Sequence, residues 1–381
     1  MAKTRYLAPW HQPDLMAALE ALTREYSDGE GPGKALDAEA LAALKGKPAI
    51  YHCISRVVDR QFVLGTPEKE KFVDYMRAYE RFCQVRVLGF SVMTNHFHIL
   101  LEIPSPPKER GRDWSDERFL DHLACLYTMP EVGEIRWELE RFRKQGNDAA
   151  AEALRDRYFR RMWDLSEYMK SLKQRFSRWF NWMHGRRGTL WEERFKSVLV
   201  EDGHAARVMA AYIDLNAMRA GIVKDPKDYR WCSYGEAVAG KERAREGIRR
   251  VMFESESTVT GKEQAAEMLL SWQAAGSRYR EVLMAGMQRD AEKSAGRTEG
   301  AAGVEGAAGA EGEEEAGLSE AEALRCRVRY FVDGLVIGSK GFVNRVFQMT
   351  RERFGPKRRD GARKIRGIRT ELQSMRDLRP E

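Results

Sequence analysis

The sequence predicts an α+β fold: a four-stranded antiparallel sheet with helices packed on it, a helical insertion, and a small helical C-terminal domain. Three observations lead there. Short apolar segments of strand character recur at about 49–58, 85–93, 96–102 and 195–200. Stretches of helical period separate them, giving the order β-α-β-β-α-β-α. The link between the second and third strands is too short for a crossover, so those two form an antiparallel hairpin.

Residues 1–46 form an N-terminal extension with one helix over 14–26, broken at Gly29-Glu30-Gly31-Pro32-Gly33. The core domain spans 47–240. Its first strand alternates Tyr51, Cys53 and Ser55 against His52 and Ile54. The first core helix covers 68–83, with Pro67 suited to its first turn. The third strand runs from His96 to Glu102. Pro104, Pro106 and Pro107 open an insertion over 104–165 of charge-rich helices, which joins a helix at 166–183. A basic turn at 185–188, the fourth strand and an amphipathic helix over 205–216 follow, with Gly221 as its C-cap. Beyond the core lie a helical extension (241–293), an acidic Ala/Gly linker (294–318) and a basic helical C-terminal domain (319–381). Between 351 and 369 stand nine Lys/Arg and two acidic residues. That suits a helix-turn-helix-like DNA reader or a solvated basic tail.

At 381 residues the chain allows two or three domains, and a net charge of +7 is compatible with nucleic acid. No run approaches the roughly 18 apolar residues that cross a bilayer, so a membrane partner is not expected. The N-terminus has no apolar signal region, and Cys53, Cys83, Cys125, Cys232 and Cys326 are odd in number and scattered. This pattern suits reduced thiols in a cytoplasm.

The chemistry concentrates in Thr94-Asn95-His96-Phe97-His98-Ile99. In a strand, His96 and His98 project side by side while Phe97 turns to the other face. Two adjacent imidazoles can hold a metal ion. A buried histidine is more often a satisfied core residue, so the pair alone leaves both readings open. Downstream, Tyr212 and Asn216 share one helix face at i and i+4. They pair a hydroxyl nucleophile with a third metal-ligating oxygen, although an isolated helical tyrosine is more commonly core. Between 157 and 196, cations alternate with aromatic rings, as in grooves that hold single strands. Met169, Leu172, Phe176 and Phe180 recur at helical spacing and belong to a core.

Taken together, His96-Phe97-His98 and Tyr212-Ile213-Asp214-Leu215-Asn216 resemble the single-tyrosine HUH transposases of the IS200-like type, above all the REP-associated tyrosine transposases. Supporting segments are Tyr51-His52-Cys53-Ile54-Ser55-Arg56, Arg194-Phe195-Lys196-Ser197 and Tyr229-Arg230-Trp231-Cys232-Ser233-Tyr234; the resemblance covers roughly 45–240. Ala217 stands where relatives commonly have proline. The resemblance implies an RRM-like, ferredoxin-like HUH core. It implies cleavage and rejoining of hairpin-containing single-stranded DNA through a 5′-phosphotyrosine on Tyr212. It further implies Mg²⁺ or Mn²⁺ held by His96, His98 and Asn216, and action as a homodimer. Phosphate contacts would come from Arg56, Lys173, Arg186, Arg187, Arg194, Lys196 and Arg219. Two alternatives stay open: a catalytically silent single-strand-binding module of the same fold, and a replication or relaxase-type HUH nickase. Glu102, on the histidine face by parity, would be needed for a hydrolytic metal site. His52 supports the sheet or contacts DNA.

Overall fold

The computed structural model describes residues 6–25, 44–252, 271–285, 318–326 and 328–376. They form two compact units, Met1–Val87 with Val92–Lys196, and Leu88–Ser91 with Ser197–Glu381. The linker expected at 294–318 lies outside the described residues, Leu318 excepted.

Along the chain, α1 (Pro13–Glu25) precedes β1 (Ala49–Arg56), α2 (Thr66–Phe82), β2 (Arg86–Val92) and β3 (His96–Ile103). β1 and β3 pair antiparallel, with Arg56 opposite His96 and Ile54 opposite His98. β2 turns into β3 at once, closed by Met93 N–H donating to the His96 carbonyl at 2.8 Å. Phe72, Met76 and Tyr79 of α2 are buried at helical spacing, as are Met169, Leu172, Phe176 and Phe180 of α6 (Leu165–Met183). Asp164 caps α6 by accepting from Glu167 N–H at 2.8 Å. Phe72, Phe97, Phe176 and Trp191 meet in one aromatic cluster, with Phe72 to Phe97 centroids at 4.5 Å and Phe97 to Trp191 at 5.3 Å. The insertion supplies the expected helices, α3 (Asp116–Leu123), α4 (Met129–Lys144) and α5 (Asp148–Phe159). Arg143 ties their ends together through Asp116, Asp148 and Glu152.

The second unit carries β4 (Lys196–Val200), α7 (His204–Asp214), α8 (Asn216–Arg219), α9 (Ser233–Val238), α10 (Glu242–Met252) and α11 (Trp272–Met284). Then follow β5 (Leu318–Ser319), α12 (Glu320–Ala323), α13 (Arg329–Asp333), β6 (Val336–Gly338), α14 (Lys340–Met349), β7 (Arg363–Lys364), β8 (Ile368–Arg369) and β9 (Gln373–Met375). Gly221 ends the α7–α8 run at φ 69°, as its place in the sequence suggests.

Two expectations are corrected here. The sheet is not four antiparallel strands. The sheet has seven strands, mixed in direction. β4 pairs in parallel with β6, Leu199 opposite Val336, while β6 and β9 are antiparallel. The C-terminal region is accordingly mixed and not purely helical: past Met349 the described residues hold one 3-10 turn, Arg351–Arg353, and short strands but no further α-helix, so 351–369 does not form the expected helix-turn-helix. The physical reason is length. Val336-Ile337-Gly338 is fully buried, yet three residues are too few to show a strand period. Gly338 is required at the close approach, since a Cβ there would stand 2.6 Å from that of Glu201. Glu201 in turn accepts from Ser339 N–H at 2.5 Å and from its hydroxyl at 3.0 Å.

None of the five cysteines is in a disulfide. No described helix is long and apolar enough to cross a membrane.

Candidate functional site

β3 delivers His96 and His98 to one face, as strand parity requires, with ring centroids 5.1 Å apart. Phe97 goes to the opposite face, into the aromatic cluster, and is fully buried. The pair is therefore anchored from behind by its own middle residue. His96 is half-buried and His98 is 3 % exposed. Each imidazole has a neighbour at Nδ1. For His96 it is Asn95 Oδ1 at 2.6 Å. For His98 it is His52 Nε2 at 2.9 Å. Arg56 is directly opposite His96 on the same face. Glu102 lies near the far end of β3, paired with Arg86 at 2.5 Å. It is committed as a salt-bridge partner, so the hydrolytic-site reading loses its carboxylate. Among the described residues no group of three or more His, Cys, Asp or Glu of metal-holding type occurs. Two adjacent imidazoles can serve as ligands to a divalent metal ion.

Tyr212 and Asn216 belong to the second unit. Tyr212 is 2 % exposed, its ring edge-to-face on Phe331 of α13 at 4.9 Å. The Arg219 guanidinium lies 3.9 Å from the ring centroid. Arg219 also donates to the Tyr212 carbonyl at 2.6 Å, the Asn216 amide oxygen at 3.2 Å and the Leu324 carbonyl at 2.7 Å. Burial pushes its pKa down to about 10, so it remains a cation at neutral pH. Asn216 Nδ2 is buried with no hydrogen-bond partner. Arg219 thus joins the tyrosine and the asparagine into one local group, a role that a bare cation count did not foresee.

Asp214 was not singled out in the sequence, yet it pins the end of α7. It is fully buried and accepts from Ser233 Oγ at 2.7 Å, Tyr234 N–H at 3.0 Å and Tyr279 Oη at 2.6 Å. Burial raises its pKa to about 6 against these hydrogen bonds. An Asp within an otherwise apolar helical face was the available signal. Tyr279→Phe is expected to cost about 1–3 kcal/mol of stability, measured by urea denaturation, because it removes one donor from a buried carboxylate.

Residues 47–108, which hold β1, α2, β2 and β3, match the family model described as transposase IS200 like. The likeness to that family is confined to this segment, 62 of the 381 residues. The match contains His96 and His98 and ends before Tyr212. A solved structure described as the REP-associated tyrosine transposase bound to a REP hairpin shares 14 % identity. That comparison covers 50 % of this chain and 80 % of the other, with a TM-score of 0.32, too low a likeness to argue from. No curated protein matches the chain.

Around the IS200-like segment, the expected phosphate-binding cations fall into two groups. Lys173 is buried and works inside the fold: its ammonium donates to the Glu193 carbonyl at 2.9 Å, and Trp191 Nε1 donates back to the Lys173 carbonyl at 3.2 Å. Arg186 is half-buried beside Phe180, with its Nη1 buried and unpartnered. Arg187, Arg194 and Lys196 are exposed. Arg194 borders an open groove of about 870 Å³ between α6 and residues 188–195, where Lys170, Lys173 and Arg178 stand among Glu167, Glu192 and Glu193. Of the aromatic rings in this region, Tyr168, Phe176, Phe180 and Trp191 are buried, whereas Trp182 is 77 % exposed.

Proposed function

We propose that this chain is a transposase that cleaves and rejoins hairpin-containing single-stranded DNA through a 5′-phosphotyrosine on Tyr212. The observation that carries the reading is the His96-Phe97-His98 strand inside the IS200-like segment, its two imidazoles side by side and anchored by Phe97. The hairpin substrate class and the divalent ion are carried over from the motif resemblance.

The Tyr212 hydroxyl attacks the scissile phosphorus in line. A bond forms from Oη to phosphorus as the bond from phosphorus to the 3′ oxygen breaks. The phenolic proton goes to solvent and the departing 3′ oxygen takes one up, so the step is redox-neutral. The reverse reaction by a 3′-hydroxyl rejoins strands without nucleotide hydrolysis. A phenol of pKa about 10 is a weak nucleophile at neutral pH. A divalent ion held by His96, His98 and Asn216 would supply electrophilic activation of the phosphate. Arg219 brings a fixed positive charge to the ring of the nucleophile and orients the Asn216 amide. Arg187, Arg194 and Lys196 are exposed, which supports the reading that they meet backbone phosphates. Access of a phosphodiester to Tyr212 requires the side chains over it, Phe331 and Arg219, to shift.

That burial of Tyr212 also favours a second reading, a silent single-strand-binding module. One assay separates the two. The purified chain is incubated with end-labelled single-stranded hairpin DNA from the sequence flanking its own gene, with Mn²⁺ or Mg²⁺. A covalent adduct that is lost on chelation with EDTA and restored by the ion is expected. Hairpin binding without adduct under every ion condition supports the binding module instead.

A further inference from the structure

We propose that Asn95 and His52 are positioning residues which lock His96 and His98 in one shared tautomer, the proton on Nδ1 and the lone pair on Nε2. The metal-binding atoms of the pair are then the two Nε2 atoms. This deepens the metal reading above and rests on it.

The case for His96 is one of hydrogen-bond logic. The Asn95 amide cannot be turned round, because its Nδ2 donates to the Arg60 carbonyl at 3.0 Å. Its Oδ1 therefore faces His96 Nδ1, at 2.6 Å. A carbonyl oxygen only accepts, so Nδ1 carries the proton, and the neutral ring keeps its lone pair on Nε2. The turn that makes this possible is held on both sides. Val57 N–H donates to the Asn95 carbonyl and Leu64 N–H to the Thr94 carbonyl, each at 2.9 Å. Asp59 and Arg60 both sit at φ 54°, in the left-handed region that non-glycine residues rarely occupy. Two consecutive strained residues that deliver one carbonyl to Asn95 point to a placement that matters.

For His98 the partner is His52. Their ring planes lie within 15° of each other with centroids 5.1 Å apart, and Nε2 of His52 is 2.9 Å from Nδ1 of His98, so the rings meet nearly in plane, edge to edge. His52 is fully buried, on the same face of β1 and two residues along the ladder from the Ile54–His98 pair. One of the two nitrogens holds the proton. If it were His52, the lone pair of His98 would be spent on His52 and its Nε2 would carry a hydrogen. If it is His98, Nε2 becomes a ligand atom that matches the one on His96. A chelating pair needs the second arrangement, and a histidine that donates its other N–H to a neighbour is how metal-ligating imidazoles are ordinarily oriented.

The first test needs no metal. Long-range ¹H–¹⁵N spectra of the full chain with ¹⁵N-histidine report each ring's tautomer, with His96 and His98 assigned by single His→Gln variants. Both are expected as Nδ1–H, and an Nε2–H form at His98 overturns the role of His52 whatever any variant does. The second test is Mn²⁺ binding followed by electron paramagnetic resonance. His52→Leu keeps the bulk and removes the acceptor, and is expected to weaken Mn²⁺ binding about 10- to 100-fold. His52→Gln, whose amide oxygen accepts from Nδ1, is expected to restore it to within about threefold. A folded His52→Leu with wild-type affinity overturns the positioning role while leaving the metal reading in place. A wild-type chain that takes up no Mn²⁺ overturns both.

Discussion

Tyr212→Phe is expected to lower the rate of covalent protein–DNA adduct formation by at least about 10⁴-fold, with hairpin binding nearly unchanged. The substitution removes only the oxygen proposed to attack. The ring that packs on Phe331 and lies under Arg219 is retained, so the local group of Tyr212, Asn216 and Arg219 keeps its shape. Without the oxygen no phosphotyrosine can form at this position. Denaturing electrophoresis of end-labelled hairpin DNA reads the adduct directly, and a mobility-shift assay reads binding. An adduct of wild-type yield in the variant would mean that another residue is the nucleophile; the identity of the labelled peptide would then name it.

Phe97→Ala is expected to cost about 3–5 kcal/mol of unfolding free energy, the largest stability effect foreseen for any residue of the β3 motif. Phe97 is completely buried between Phe72 and Trp191, in a cluster completed by Phe176. Truncation leaves a ring-sized void that α2, α6 and the Trp191 segment cannot all close at once. The consequence reaches the opposite face, because Phe97 is the residue between the two histidines. A strand that loses its anchor holds His96 and His98 less firmly, so weaker Mn²⁺ binding is expected to accompany the loss of stability. Urea denaturation, with the slope checked against wild type, measures the first effect. A change below about 1 kcal/mol would show that the cluster repacks and that the pair does not depend on it.

The histidine pair was legible in the sequence because strand geometry is local. A period of two puts His96 and His98 on one face and Phe97 on the other whatever the rest of the chain does. The helix carrying Tyr212, Asn216 and the capping Gly221 was legible for the same reason. His52 was visible only as a residue on a strand, since its contact with His98 depends on the register between β1 and β3. Asn95 drew no attention as a positioning group, because its partner at Arg60 is set by a left-handed turn that the residue types there do not announce. Lys173 read as a phosphate cation from composition and proved to hold a backbone carbonyl, and Arg219 proved to organise the tyrosine group.

The C-terminal region shows the limit most plainly. Val336-Ile337-Gly338 and Gln373-Ser374-Met375 carry too few residues for any period, and their partners are far away along the chain. What the sequence determined by itself was therefore everything with a local period: the order of the main strands and helices, the His-x-His face and the tyrosine helix. What only the tertiary structure decided was pairing at long range: seven mixed strands in place of four, the cover of Phe331 over Tyr212, and the neighbours of each imidazole. Local conformation follows from sterics and side-chain alternation over a few residues, whereas long-range pairing is chosen by which buried surfaces and hydrogen-bonding edges fit once the chain has collapsed.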